Sequence, residues 1–256
     1  MEKVILISID GMRPDGFLSC GNPYIEELQR ISAHTLNAST VFPSVTLPCH
    51  LSLFHSVPPQ RHGILTNTFV PFARPLPGLF EVVKQNYLHS AMYYGWEPLR
   101  DVSRPSSLKW ADYVHSDIAP DTDKQLTDRC LYRIRESKPD FVFLYMVQTD
   151  HAGHDSGWMS QEYLRCISVA LDQVKRVVDE FGEEYTIIVT ADHGGHDRDH
   201  GTELPEDMTI PQFYIGKRFT AGRVLENVSI LDTAPTIADL MDLRQPKEWE
   251  GKSLAE

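Results

Sequence analysis

An α/β fold with a largely parallel central sheet, covered by helices on both faces, is predicted by three observations. The apolar runs are short, and they alternate with segments of helical period. They are also continuously apolar rather than alternating, as strands buried on both faces must be. "KVILISID" (3–10) opens the chain as such a strand, and "PYIEELQRISAH" (23–34) is the helix behind it, with Asn22 as its N-cap. "LPCHLSLFHSV" (47–57) forms a short helix after a threonine, and "GLFEVVKQN" (78–86) forms another. "SAMYYG" (90–95) is a strand, and residues 96–121 read as a small irregular element containing Trp96, Arg100, Arg104 and Trp110. "TDKQLTDRCLYRIRESK" (122–138) is helical, and "DFVFLYMVQTD" (140–150) is the longest apolar strand. The amphipathic helix at 160–182 ends at Gly182, strands follow at "YTIIVTAD" (185–192) and "PQFYIG" (211–216), and "ILDTAPTIADLMDL" (230–243) is the last helix.

Composition narrows the function classes. The 256 residues are 41% apolar with a formal charge of −12, which suits an ordinary globular protein rather than a disordered one. No cluster of Lys and Arg stands ready for the backbone of a nucleic-acid polymer or for an anionic membrane, so neither is expected as a partner. No signal-peptide pattern opens "MEKVILISID", and no apolar run approaches the roughly 20 residues of a transmembrane helix. Cys20, Cys49, Cys130 and Cys166 are widely spaced without a CxxC, so a cytoplasmic location is expected.

Three aspartates, Asp10, Asp150 and Asp192, stand where apolar runs stop. Ligands of open parallel sheets bind outside the carboxyl ends of the strands, so three acids there would converge on one rim. An aspartate alone at such a position often does no more than cap the next helix. Histidines surround two of these three, however: His151 and His154 follow Asp150, and His193, His196 and His200 follow Asp192. Imidazole mixed with carboxylate suits zinc, manganese or iron better than calcium or magnesium. Two such clusters on one rim point to two divalent transition-metal ions, zinc first, able to clamp attacking and leaving oxygens in phosphoryl transfer.

"VFPSVTLPCH" (41–50) adds a nucleophile and a seat for an anion. Pro48 belongs in the first turn of a helix, whose N-terminus presents free N–H groups and a positive dipole end. Ser44, Thr46 and Cys49 are all candidates for the attacking group on residue type alone.

The ordered series "VILISIDGMRPD", "FPSVTLPCH", "RHGILTN", "QTDHAGH", "TADHGGHDRDHG" and "VSILDTAPTIADLM" spans nearly the whole chain. With it the sequence resembles the alkaline phosphatase superfamily, and within it the type I phosphodiesterase/nucleotide pyrophosphatase family in a compact form. The resemblance implies an alkaline-phosphatase-like fold over 1–256 as a single catalytic domain, and the irregular residues 96–121 are read from their own composition as a small cap element. It implies one metal site of Asp10, Thr46, Asp192 and His193 and another of Asp150, His154 and His200. Thr46 would be the nucleophile and Asn67 the donor to a phosphoryl oxygen. The implied activity is hydrolysis of a phosphodiester or nucleotide pyrophosphate bond in a small phosphate-ester or nucleotide-like substrate, through a phosphothreonine. His151 and His196 take no ligand role in that pattern and are read as groups that support ligands or face substrate.

Rival readings differ at named positions. Sulfatases share the fold but need a Cys or Ser, where Thr46 stands, for oxidation to formylglycine. Cofactor-independent phosphoglycerate mutases use a serine and a large inserted domain, for which the stretch from Thr46 to Asp150 is short. A phosphomonoesterase of the same superfamily would need a clamping arginine, for which Arg100 and Arg104 are the candidates. A non-catalytic, metal-dependent ligand-binding module is the alternative from another class, although Thr46 and every expected ligand are present.

Overall fold

The computed structural model describes residues 1–256 apart from Pro75 and Ile118. Seven strands, β1 (Lys3–Ile9), β2 (Ala33–Ser39), β3 (Ser90–Tyr94), β4 (Trp110–Tyr113), β5 (Phe141–Met146), β6 (Tyr185–Thr190) and β7 (Thr209–Ile215), form one sheet in the order β2-β7-β6-β1-β5-β3-β4. β1 lies at the centre, parallel to β5 on one side and to β6 on the other. Its residues from Val4 to Ile9 are fully buried, as are all of β5, which explains why both read as unbroken apolar runs. β3 and β4 continue the parallel array, whereas β7 is antiparallel to both β6 and β2. The sheet is therefore largely parallel, with one reversed strand near an edge.

Helices cover both faces. α1 (Pro14–Ser19), α2 (Tyr24–Ile31), α6 (Thr122–Ser137) and α7 (Gln148–Ser156) each pack against the long α8 (Gln161–Phe181). α3 (Thr46–His55), α5 (Leu79–Gln85) and α10 (Thr233–Leu240) form the second group, and the single turns α4 (Pro59–His62) and α9 (Pro205–Met208) lie in loops. Among the described residues no helix is long and apolar enough to cross a membrane.

Four departures from the sequence reading have physical causes. The helix expected over 23–34 stops at Ile31, where the Ser32 hydroxyl donates back to the Leu28 carbonyl at 2.6 Å, and Ala33 begins β2. Pro23, not Asn22, holds the N-cap position of that helix, and Asn22 stands one residue before it, with its side-chain oxygen accepting from the Tyr24 N–H at 2.8 Å. The irregular segment 96–121 contains a 3₁₀ helix at Glu97–Val102 and the edge strand β4, while Ile118 within it lies outside the described residues. Finally, the strand expected over 140–150 ends at Met146, which places Asp150 in the first turn of α7 rather than at a strand end.

Candidate active site

Asp10 follows β1 directly, Asp192 and His193 follow β6, and Asp150 stands in the turn of α7 that leaves β5. Because β1, β5 and β6 are adjacent and parallel, these carboxylates meet at one rim. They resolve into two sets of three, Asp10–Asp192–His193 and Asp150–His154–His200, and within each set the ligand atoms lie no more than 4.8 Å apart. The sets touch through the imidazoles of His193 and His200, stacked with ring centres 3.9 Å apart.

Within the first set, His193 Nε2 is 3.3 Å from Asp10 Oδ1 and 3.4 Å from Asp192 Oδ2. Within the second, Asp150 Oδ1 is 3.5 Å from His154 Nε2 and 3.8 Å from His200 Nε2. Each of the three histidines turns its other nitrogen to a backbone carbonyl. Nδ1 of His193 meets Gly194 O at 2.7 Å, that of His154 meets Arg198 O at 2.9 Å, and that of His200 meets Ser44 O at 2.8 Å. A carbonyl only accepts, so Nδ1 carries the proton and Nε2 presents a lone pair to the cluster. This is the arrangement that orients a metal-ligating histidine.

The carboxylates are arranged to match. Asp10 Oδ1, Asp150 Oδ1 and Asp192 Oδ2 are buried without a hydrogen-bond partner, and these are the oxygens that face the histidine lone pairs. Lone pairs gathered in this way, away from water, are the lining a bound cation would satisfy. Burial, followed by repulsion from Asp192 and Asp150, holds the Asp10 carboxyl well above its usual range. Burial also raises Asp150, against the pull of His200 and His154. Burial would raise Asp192 too, but His193, His50 and the Gly11 N–H outweigh it and hold it low. Burial, with His193 alongside, pushes His200 down to about 4, so it stays neutral. The residues present thus fit two divalent ions, whose charge would reverse the repulsion among the acids.

The three candidate nucleophiles separate clearly. Thr46 is the first residue of α3, and its Oγ1 lies 3.2 Å from His193 Nε2. The Ser44 hydroxyl donates to Thr202 O at 2.8 Å, and Cys49 is fully buried beside the Thr40 hydroxyl with its thiol pushed up by burial. Asn67 reaches the same helix end, where its Oδ1 accepts from the Leu47 N–H at 3.0 Å and its amide nitrogen remains a donor.

The remaining sequence candidates lie elsewhere in the network. His196 turns Nδ1 to the buried Asp207 carboxylate at 2.8 Å, and Asp207 in turn holds Thr202. His151 is half-buried on α7. Arg100 is exposed and pairs with Glu97, while Arg104 stacks 4.8 Å over the Phe72 ring. Trp96 packs against the core, and Trp110 in β4 meets His89 edge-on.

Sequence reasoning missed four contributors. Tyr145 on β5 donates its hydroxyl to Asp10 Oδ2, which leaves Oδ1 facing the cluster. A tyrosine inside a wholly apolar strand needs such a partner, so a signal was available. His50 stands one helical turn after Thr46, its Nδ1 2.8 Å from the Thr46 carbonyl and 3.4 Å from Asp192 Oδ2. Trp158 donates Nε1–H to Gly11 O at 3.0 Å and lies edge-on to His154 and His200. A side chain on Gly11, which has φ +66°, would come within 3.3 Å of both Asp150 and that indole. The fourth contributor, Asp123, reaches the N-terminus of α7 from α6.

The sequence model of the type I phosphodiesterase / nucleotide pyrophosphatase family matches residues 4–208. Human ectonucleotide pyrophosphatase/phosphodiesterase family member 1 is 24% identical over 216 residues, 74% of this chain and 23% of that protein. The 2,3-bisphosphoglycerate-independent phosphoglycerate mutase of Clostridioides difficile is 28% identical over 146 residues, 54% of this chain and 28% of the mutase. The chain thus spans about a quarter of the length of these two relatives. Among solved structures, inactive murine ectonucleotide pyrophosphatase/phosphodiesterase 5 in complex with AMP superposes with a TM-score of 0.81, at 15% identity over 96% of both chains. A phosphonate monoester hydrolase from Silicibacter pomeroyi superposes with a TM-score of 0.75, at 15% identity over 99% of this chain and 76% of the other. At such identities the likeness is one of fold.

Proposed function

This chain belongs to the type I phosphodiesterase / nucleotide pyrophosphatase family, and on that premise we propose that it hydrolyses phosphodiester or nucleotide pyrophosphate bonds with two metal ions and Thr46 as nucleophile. The observation that carries the proposal is the pair of facing ligand sets with unpartnered carboxylate oxygens, against one of which Thr46 Oγ1 lies 3.2 Å from His193 Nε2. Asp10, Asp192 and His193 would hold one ion together with Thr46 Oγ1, and Asp150, His154 and His200 the other. Zinc is the metal this carboxylate and imidazole set suits best. Bound there, the ions would supply the positive charge that lowers the pKa of the threonine hydroxyl and neutralises a leaving oxygen.

The chain's own groups divide the remaining work. Thr46 Oγ1 gives up its proton to solvent and forms the new bond to phosphorus as the ester oxygen departs with its electron pair; water then attacks the phosphorus of the phosphothreonine, which releases the phosphate monoester and returns the Thr46 hydroxyl. The Asn67 amide donates to a nonbridging oxygen, beside the positive end of α3. Asn67 is neutral, Arg100 pairs with Glu97, and Arg13 is tied to Asp15 and to the Gly195 carbonyl. These groups offer no extra cation to favour a dianion, so the monoanionic diester is the preferred substrate. The organic group is nucleotide-like in this reading, supported by the AMP complex of the murine neighbour.

The test uses zinc-loaded protein with bis(p-nitrophenyl) phosphate and p-nitrophenyl phosphate. A higher kcat/KM for the diester is expected. Thr46→Ala should keep its zinc yet lose roughly 10³-fold or more in turnover, with Thr46→Ser retaining part. Full activity after exhaustive chelation, or an active Thr46→Ala, refutes the mechanism, and a monoester preference moves the protein to the phosphatase reading.

A further inference from the structure

We propose that Asp123 is a positioning residue for the Asp150–His154–His200 cluster, acting as the N-cap that α7 lacks. The proposal rests on reading that cluster as a metal site. β5 ends at Met146 and α7 begins at Gln148, so the chain passes from strand to helix with a single residue between them. That residue, Val147, occupies the N-cap position and has no polar side-chain atom to satisfy the first N–H groups. Asp123, the second residue of α6 and only 2% exposed, fills the role from outside. Its Oδ1 accepts from the Val147 N–H at 2.8 Å and its Oδ2 from the Gln148 N–H at 3.3 Å.

The link is reciprocal. Gln148 Oε1 accepts from the Asp123 N–H at 3.0 Å, and Gln148 Nε2 donates to Pro120 O at 2.6 Å. α6 also lacks a cap of its own, since the Asp121 carboxylate accepts instead from the Gln125 side chain at 2.6 Å. Each helix therefore provides the side chain that secures the start of the other. Asp150 is the third residue of α7 and His154 stands one turn later, so a slip in the first turn carries both ligands with it. Asp10, Asp192 and His193 follow β1 and β6 and take no part in this cap.

A carboxylate suits the position better than an amide. Both of its oxygens accept, whereas asparagine would turn a donor toward one of the two N–H groups. Burial pushes the Asp123 carboxyl up to about 7 against these two bonds, so an acid is kept here at a cost, as expected of a group with a task.

The test compares Asp123→Ala, Asp123→Asn and Gln148→Ala with the parent chain by zinc titration against a chromophoric chelator. It is repeated in an Asp10→Ala background, where the remaining ion belongs to the Asp150 cluster. Asp123→Ala should weaken that ion about 10- to 100-fold and Asp123→Asn less, with the other site unchanged. Equal weakening of both sites, or no weakening, overturns the proposal. Amide hydrogen exchange on metal-free protein supplies a readout independent of zinc: the Val147 and Gln148 amides should exchange at least tenfold faster in Asp123→Ala while β1 and β6 stay protected. If the parent chain binds no zinc, the metal reading fails, and unchanged exchange at these amides would separately defeat the cap. Should Asp123→Ala not fold, the other two variants decide between the same outcomes.

Discussion

Tyr145→Phe removes one hydroxyl and leaves the ring that packs in β5. That hydroxyl is the donor to Asp10 Oδ2, and Tyr145 is 0% exposed. A hydrogen bond to a charged group contributes about 1.5–3 kcal/mol. The loss should fall mainly on the metal-loaded protein. Without an ion, burial and the neighbouring acids raise Asp10 and work against its charge, so the missing donor costs less. With an ion bound, Asp10 must be an anion, and the variant leaves its Oδ2 unpaired in the core. Converted to affinity, the penalty is roughly 10- to 150-fold at the Asp10–Asp192–His193 site. Competition titration of zinc at neutral pH measures this directly, with the Asp150–His154–His200 site as internal control. Unchanged affinity at the first site, or equal loss at both, would refute the role assigned to Tyr145.

Two further outcomes follow from the packing and the buried charge. Gly153→Ala would ordinarily stabilise a helix by about 1 kcal/mol, but here the added Cβ would lie 2.7 Å from the Trp158 ring, which its bond to Gly11 O holds in place. Net destabilisation of roughly 1–3 kcal/mol in urea unfolding is therefore expected, and a variant as stable as the parent contradicts the packing. For Asp123, the folded protein keeps a proton between the ordinary value of 3.8 and about 7 that the unfolded chain releases. Stability from this group is thus full below pH 4 and falls as pH rises toward 7, by on the order of 4 kcal/mol in all. Asp123→Asn has no such proton to lose, so metal-free unfolding at pH 5 to 8 should show it gaining on the parent, and parallel curves would count against the buried acid.

The central sheet was legible because β1, β5 and β6 are buried on both faces and advertise this as unbroken apolar runs. β2 was not, because "AHTLNAS" puts polar residues at both buried positions (His34, Thr35) and exposed ones (Asn37, Ser39), and its first two residues continue the preceding helical period. β4 has four residues at a sheet edge with none fully buried, too little pattern to read. The reversal of β7 left no trace, since hydrophobic period encodes burial and not direction. At the site, the candidate ligand clusters were readable because their residue types crowd into short segments. The need of Tyr145 for a partner was readable but the partner was not, and Asp123 gave no sign at all, because the partners lie 135 and 24 residues away in sequence and only the folded sheet and helix ends bring them into reach.

The central place of β1 has a consequence during synthesis. β1 is made first, yet its two partners, β5 and β6, begin only at Phe141 and Tyr185. At roughly 5–20 residues per second, the run "KVILISI" emerges on the order of ten seconds before either neighbour exists. For that interval a β-branched run with a single charge, Lys3 at its start, has both edges open to any other nascent strand. The core of this sheet therefore cannot nucleate at its own beginning. Its folding waits on the second half of the chain, and a strand buried from Val4 to Ile9 in the native state is the one most in need of a chaperone before it.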